Sequence, residues 1–261
     1  MATCNGVDLH YERRGRGPRL LYCNGSGASL DSVAPLLGML AARFDLLAFD
    51  YRGMGASAPV TQPYTMADVA ADVAGLLDVV GWDRTAVMGL SFGGMVAQEC
   101  AVSFPERVDR LALLATSPGG AFSSYPLDEL SGLPAAERAQ RSLALADRRW
   151  STEWLAAHPA QASLATGFAA GHGSAETEAH ARGRLLQLQA RKGHNVLDRL
   201  YRVSCPTLVG SGSYDDIAPP ANGQAIADRI PHATLHVYDG GHMFLAQDPA
   251  AWPDVATFLT A

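Results

Sequence analysis

Residues 85–99 read TAVMGLSFGGMVAQE, and the reading of this stretch decides the fold. Thr85 to Leu90 is a short apolar run without polar alternation, the pattern of a strand buried on both faces. From Phe92 onward the residues suit a helix. Between the two, Gly89-Leu90-Ser91-Phe92-Gly93 places a serine between glycines at the strand-to-helix turn. A turn of this kind holds the serine in a strained backbone conformation and presents its hydroxyl above the sheet edge. The competing reading is a glycine-rich turn with an incidental serine, which the strand before it and the helix after it disfavour.

Working outward, the same alternation repeats. Strands are expected near 19 to 23, over Asp45 to Phe49 and over Val108 to Ala115; helices are expected near 30 to 43, 66 to 80 and 92 to 103. The first dozen residues and the RGRGP turn read as a hairpin leading into the strand at Arg19. Residues 119 to about 200 break the rhythm. They carry helical stretches around Ala135 to Trp150, Thr152 to Ala157, Ala162 to Ala170 and Ala175 to Arg191, and no convincing strand. The alternation resumes with a strand from Thr207 to Gly210, a helix from about Pro220 to Arg229, a strand from Thr234 to Tyr238 and a helix near 249 to 259. The expected architecture is a mostly parallel, doubly wound α/β sheet. A single domain over residues 1–261 is expected, with a helical cap inserted at about 119–200.

Composition narrows the function. The 261 residues are 48% hydrophobic and 18% charged, with a formal net charge of -6, so no basic stripe matches the phosphates of a nucleic acid. Cys4, Cys23, Cys100 and Cys205 show no C-x-x-C spacing and read as reduced structural thiols. With no apolar signal core at the start and no run long enough for a bilayer, a cytoplasmic protein without a membrane partner is expected.

A serine hydroxyl needs a base to take its proton, and histidine has the matching pKa. Of eight histidines, His242 follows the last expected strand in Asp239-Gly240-Gly241-His242, at the carboxyl edge where open α/β sheets collect ligands. His158, His172, His180 and His194 fall in the inserted segment and read as solvated or packing residues; they lack metal-ligand spacing, so no metal and no cofactor is expected. Either Asp215 or Asp216, both just after the strand from Thr207, can supply the carboxylate that orients the imidazole. Transition-state charge needs N–H donors. Phe92 supplies one by position, and the loop Asn24-Gly25-Ser26-Gly27 the second, with Ser26 the first choice and Gly25 the next. Asn24 and Gly25 are also candidate substrate contacts. So are Phe122, Tyr125, Trp150 and Trp154 in the cap, against the alternative that these aromatics pack the cap on the body.

With these motifs in order, the sequence resembles the α/β-hydrolase superfamily, in particular its compact bacterial serine esterase and lactonase-like branch. Asn24-Gly25-Ser26-Gly27 is similar to the family's oxyanion loop H-G-x-G, with Asn24 in place of histidine. Asp50 to Ser57 matches its D-x-R-G-x-G-x-S turn, which is read as architectural. The stretch from Gly212 to Pro219 matches its acid loop G-x-x-D-x-x-x-P, and that match selects Asp215 over Asp216. The resemblance implies a triad of Ser91, Asp215 and His242 and hydrolysis of a carboxylic ester or lactone through an acyl-enzyme. Serine at the elbow disfavours the dehalogenase and epoxide hydrolase branches, which place aspartate there. Enol-lactonase, carbon-carbon bond hydrolase, cofactor-free haloperoxidase or perhydrolase, and slow-turnover ligand receptor remain as alternatives. Arg182, Arg184 or Arg191 facing the pocket favours an acidic lactone.

Overall fold

The structure, a computed structural model, describes residues 1–171 and 177–261. His172 and the expected helix start at Ala175 lie outside the described residues. The chain opens with β1 (Ala2–Cys4) and β2 (Val7–Leu9), a two-stranded antiparallel ribbon turned at Asn5-Gly6. Then follow β3 (Tyr11–Arg14), β4 (Arg19–Cys23), α1 (Ala34–Ala41), β5 (Asp45–Phe49), α2 (Met66–Val79), β6 (Thr85–Leu90), α3 (Phe92–Ser103) and β7 (Val108–Leu114). After β7 come helices α4 (Ala135–Ala146), α5 (Thr152–Ala157), α6 (Pro159–Gly171) and α7 (Glu178–Lys192). The sheet is completed by β8 (Thr207–Gly212), α8 (Pro220–Ala227) and β9 (Thr234–Tyr238), before α9 (Phe244–Gln247) and α10 (Ala251–Thr260).

The main sheet has the order β3-β5-β4-β6-β7-β8-β9, parallel except for β3. Its register explains why the strands read as unbroken apolar runs. Leu47, Leu21, Val87 and Leu111 stand side by side across four strands and face one core with α2 and α3. Their neighbours Leu46, Leu20, Ala86 and Ala112 face a second core with α1 and α10. Successive side chains of a strand point to opposite faces, so a sheet covered on both needs apolar residues at every position. Each fully buried leucine contributes about 2 kcal/mol, and their number makes the sheet the rigid part of the molecule.

Three expectations at the edges need correction. Residues 11–14 do not pair with the strand at Arg19: β5 lies between them, and β3 is antiparallel to β5. The tight hairpin is the earlier one at Asn5-Gly6. The helix expected from 30 begins at Ala34 after a 3-10 turn, and α4 stops at Ala146 rather than Trp150. It stops there because the carbonyls of Leu145 and Ala146 accept bonds from Asp216 N and His242 N on other loops.

The strand order sets the site. From β4 the chain moves to β5 on one side, then returns to place β6 on the other, so the loops after β4 and β6 diverge and leave a crevice at their carboxyl ends. Ligands of open α/β sheets bind at such a switch point.

Candidate active site

Ser91 sits at this crevice, between β6 and α3, with φ 56° and ψ -115°. A non-glycine residue in this region costs about 1–3 kcal/mol and persists only when its surroundings impose it. They do: Ser91 N donates to Leu114 O at 2.8 Å, and Ser91 O accepts from Thr116 Oγ1 at 2.7 Å and from Gly94 N at 2.9 Å. Gly93 is required by close approach, since a Cβ there would lie 1.9 Å from Cys23 O of the neighbouring strand. Phe92 N, at the first position of α3, has no intrahelical acceptor.

Two strands along the sheet from β6, Asp215 is fully buried (0% exposed) on the loop after β8. Its Oδ1 accepts from the N–H groups of Ile217 and Ala218 at 2.8 and 2.9 Å, and its Oδ2 lies 2.7 Å from His242 Nδ1. An ionised carboxylate only accepts, so the proton is assigned to Nδ1, which leaves Nε2 with a lone pair. Asp216 points the other way, 43% exposed, to Arg148 Nη1 at 3.2 Å. The loop thus gives one aspartate to the imidazole and the other to the surface.

On the loop after β4, Gly25 N donates to Asn24 Oδ1 at 2.9 Å and Gly27 N to Gln187 Oε1 at 2.7 Å. Gly25, the second choice of oxyanion donor, is therefore already committed, while Ser26 N finds no acceptor among the described residues. The Asp50 turn behind this loop is a scaffold: the Asp50 carboxylate takes Leu30 N, Ala56 N and His10 Nδ1, and Arg52 forms a bidentate pair with buried Asp72.

The helical segment reaches the site in ways its sequence does not announce. Leu145 O and Ala146 O hold the acid and histidine loops through Asp216 N at 3.0 Å and His242 N at 2.6 Å. Buried Asp147 accepts from Arg149 and from Gln247 Nε2, whose Oε1 takes Gly241 N. Trp150 is buried in a small core with Ile217, two residues after Asp215, and Met243, next to His242. Trp154 stands at its rim, stacked on His158 at 3.9 Å. Phe122 lies instead under the Arg229 guanidinium, and Tyr125 gives its carbonyl to Arg191. Arg191 is spent on Ser124 and Tyr125, with burial lowering its guanidinium to about 10; Arg182 is exposed beside Thr61 O, and the Arg184 side chain runs past Gly27. An open depression of about 480 Å³, lined by Arg19, Asp83, Arg84 and Arg110, lies by the amino ends of the strands, away from Ser91.

His194 is buried (3% exposed), neither ring nitrogen has a hydrogen bond of good geometry among the described residues, and burial pushes its pKa down to about 4 against a weaker upward pull from the Ser117 backbone. A base neutral in the fold but protonated on unfolding stabilises the fold fully above its ordinary pKa, and this stability is lost as pH falls toward the folded value. Unfolding in urea is expected to show a loss of about 2 kcal/mol between about pH 7 and pH 5, largely removed in His194→Asn. An equal loss in the variant contradicts this origin.

Comparison with known proteins identifies the fold family. Residues 18–249 match the family model described as alpha/beta hydrolase fold. The chain is 32% identical over 247 residues to a poly(3-hydroxyalkanoate) depolymerase of Ectopseudomonas oleovorans, covering 92% of this chain and 83% of the relative. It is 26% identical to 3-oxoadipate enol-lactonase 2 of Acinetobacter baylyi, covering 96% and 92%. Among solved structures, the enol-lactonase from Burkholderia xenovorans superposes with a TM-score of 0.81 at 25% identity, covering 100% of this chain and 99% of that one. A hydrolase from Pseudomonas aeruginosa does so with 0.82 at 30% identity, covering 100% and 97%. With the family model spanning most of its length and the strained serine elbow at the switch point of its sheet, this chain belongs to the alpha/beta hydrolase fold family.

Proposed function

We propose that the chain is a serine hydrolase that cleaves a carboxylic ester or lactone through an acyl-enzyme, with Ser91 as nucleophile, His242 as base and Asp215 as its partner. The observation that carries this reading is the buried Asp215 carboxylate 2.7 Å from His242 Nδ1, on the same sheet edge as the strained Ser91 elbow. His242 Nε2 takes the Ser91 proton as Oγ bonds to the acyl carbon. The carbonyl oxygen, now negative, is received by the N–H groups of Phe92 and Ser26. Collapse breaks the bond to the alcohol, which leaves with the proton from His242. Water then gives its proton to His242 and attacks the acyl-enzyme, releasing the acid and restoring Ser91. Asp215 stays ionised throughout. In this mechanism the chain needs neither metal nor cofactor.

The helices between β7 and β8 serve, in this reading, as a cap inserted into one domain. Trp150, beside Ile217 and Met243, forms its wall toward the acyl group, and the 145–149 segment holds the acid and histidine loops. The relatives whose names specify a depolymerase and an enol-lactonase support water-driven cleavage of an ester or a cyclic ester. Four buried free thiols suit a reducing compartment, and we assign the protein to the cytoplasm; among the described residues no helix is long and apolar enough to cross a membrane.

A single preparation assayed on short acyl esters, longer acyl esters, lactones and vinylogous diketones tests the reading. Turnover of esters or lactones with an initial burst of alcohol supports it. Activity confined to the diketones assigns the site to carbon-carbon cleavage instead.

A further inference from the structure

We propose that Gln187, together with Ser26 and Asn24, forms a cradle of hydrogen-bond donors beside the nucleophile that selects acyl groups carrying an oxygen close to the reacting carbonyl. This rests on the serine hydrolase reading and assigns it a substrate class.

The cradle starts from the loop after β4. A Cβ on Gly25 would lie 3.9 Å from Ser91 Cβ, so this loop runs alongside the nucleophile. Asn24 is 3% exposed; its Oδ1 is used by Gly25 N and by the Tyr22 hydroxyl at 3.2 Å, but its amide nitrogen is buried with no acceptor among the described residues. Gln187, on α7, repeats the pattern. It is 0% exposed, its Oε1 takes Gly27 N at 2.7 Å, and its Nε2 is buried with no acceptor among the described residues. The Ser26 hydroxyl, on the same loop as Asn24, is also buried and without a partner among the described residues. The acceptor ends of both amides are spent on the loop, and their donor ends are not.

The position of Gln187 is built in. A Cβ on Gly183 would fall 2.0 Å from Gly53 O, so α7 crosses the Asp50 turn in backbone contact, and His180 Nε2 meets Gly55 O at 2.9 Å on the same face. One helical turn beyond Gly183, Gln187 projects from that face onto Gly27. Amide hydrogens buried without an acceptor are costly, and proteins keep few of them. A hydrocarbon acyl chain offers them nothing, whereas a hydroxyl, oxo or carboxylate oxygen does. The oxygen must be near the carbonyl, because the Ser26 hydroxyl stands only a few bonds from the Ser26 N–H that receives the oxyanion. A site built to bond a substrate oxygen discriminates against an analogue lacking it far more strongly than an apolar pocket does.

The test compares kcat/KM for the nitrophenyl esters of butanoic acid and of its β-hydroxy derivative, which share leaving group and chain length. The wild-type protein is expected to prefer the hydroxylated ester by about tenfold or more. Gln187→Met and Gln187→Glu are expected to bring the ratio toward one, and Ser26→Ala, which keeps its backbone N–H, to lower it. Loss of structure alone scales both esters together and leaves the ratio unchanged; Ser26→Ala keeps the question open to measurement if the Gln187 variants do not fold. Turnover of butanoate without preference, or a preference that survives all three substitutions, overturns the cradle and leaves ester hydrolysis standing. A wild-type protein inert toward both esters and toward the wider ester and lactone panel overturns the hydrolase reading, and the cradle with it.

Discussion

Ser91→Ala is expected to lower ester turnover by about a million-fold, the scale of nucleophile loss in an unrelated serine hydrolase, with binding and the N–H donors left to act alone. The size follows from the chemistry. Only Oγ is removed, and without it no acyl-enzyme forms, so His242 has no serine proton to take and the oxyanion donors assist only direct attack by water. The fold is expected to survive, because the contacts that hold the elbow run through backbone atoms: Ser91 N to Leu114 O, and Ser91 O to Thr116 Oγ1 and Gly94 N. Thermal unfolding and circular dichroism of the variant check this. Ester turnover close to wild type in a folded, uncontaminated preparation contradicts the covalent route.

The next largest effect is expected at Asp215. Asp215→Asn keeps the shape of the acid loop but exchanges an acceptor-only group for an amide, which can donate to Nδ1 and so favour the tautomer with its proton on Nε2. Turnover is expected to fall by about ten-thousand-fold, the magnitude found for the corresponding exchange in a well-studied serine protease. Asp216→Asn should change it by less than about threefold, because its carboxylate pairs with the exposed Arg148, and such pairs are worth little. Parallel kinetics of the two variants decide between the neighbours. Collapse in Asp216→Asn with near-normal Asp215→Asn reverses the assignment of the acid and leaves the nucleophile untouched.

The parts of the fold legible in the sequence are those written in local patterns. The helix from Phe92 to Ser103 and the strand from Thr234 to Tyr238 follow from short local runs that end at turn residues, and the structure places them over the same residues. The parallel, doubly wound sheet follows from strands with no polar face. Pairing is less visible. The sequence pattern pairs β3 with its neighbour in the chain, but β5 takes that edge, since which strand lies beside which is settled by packing across the whole sheet. The four-residue helix α9 is too short to show a period.

The candidate site divides the same way. Ser91, Asp215 and His242 each stand in a motif with its own spacing, and the adjacent aspartates were separable only through the acid-loop pattern. Gln187 and Asp147 had no such signal. Gln187 reaches a glycine 160 positions earlier in the chain. Asp147 meets Gln247 across 100 positions. In a helical segment of ordinary composition, nothing local marks a glutamine or an aspartate as facing inward. A glycine at position 183, inside a helix where it is otherwise unfavourable, was the one available sign that α7 comes close to another backbone.

The most direct test of the account is the site of covalent modification. The wild-type protein is treated with a fluorophosphonate, which forms a stable adduct with an activated serine, and is examined by intact mass and peptide mapping. One adduct per chain is expected, on the peptide containing Ser91, with labelling abolished in Ser91→Ala and strongly slowed in His242→Ala. An adduct on another residue, or labelling that persists in Ser91→Ala, contradicts the claim that Ser91 is the nucleophile of this hydrolase.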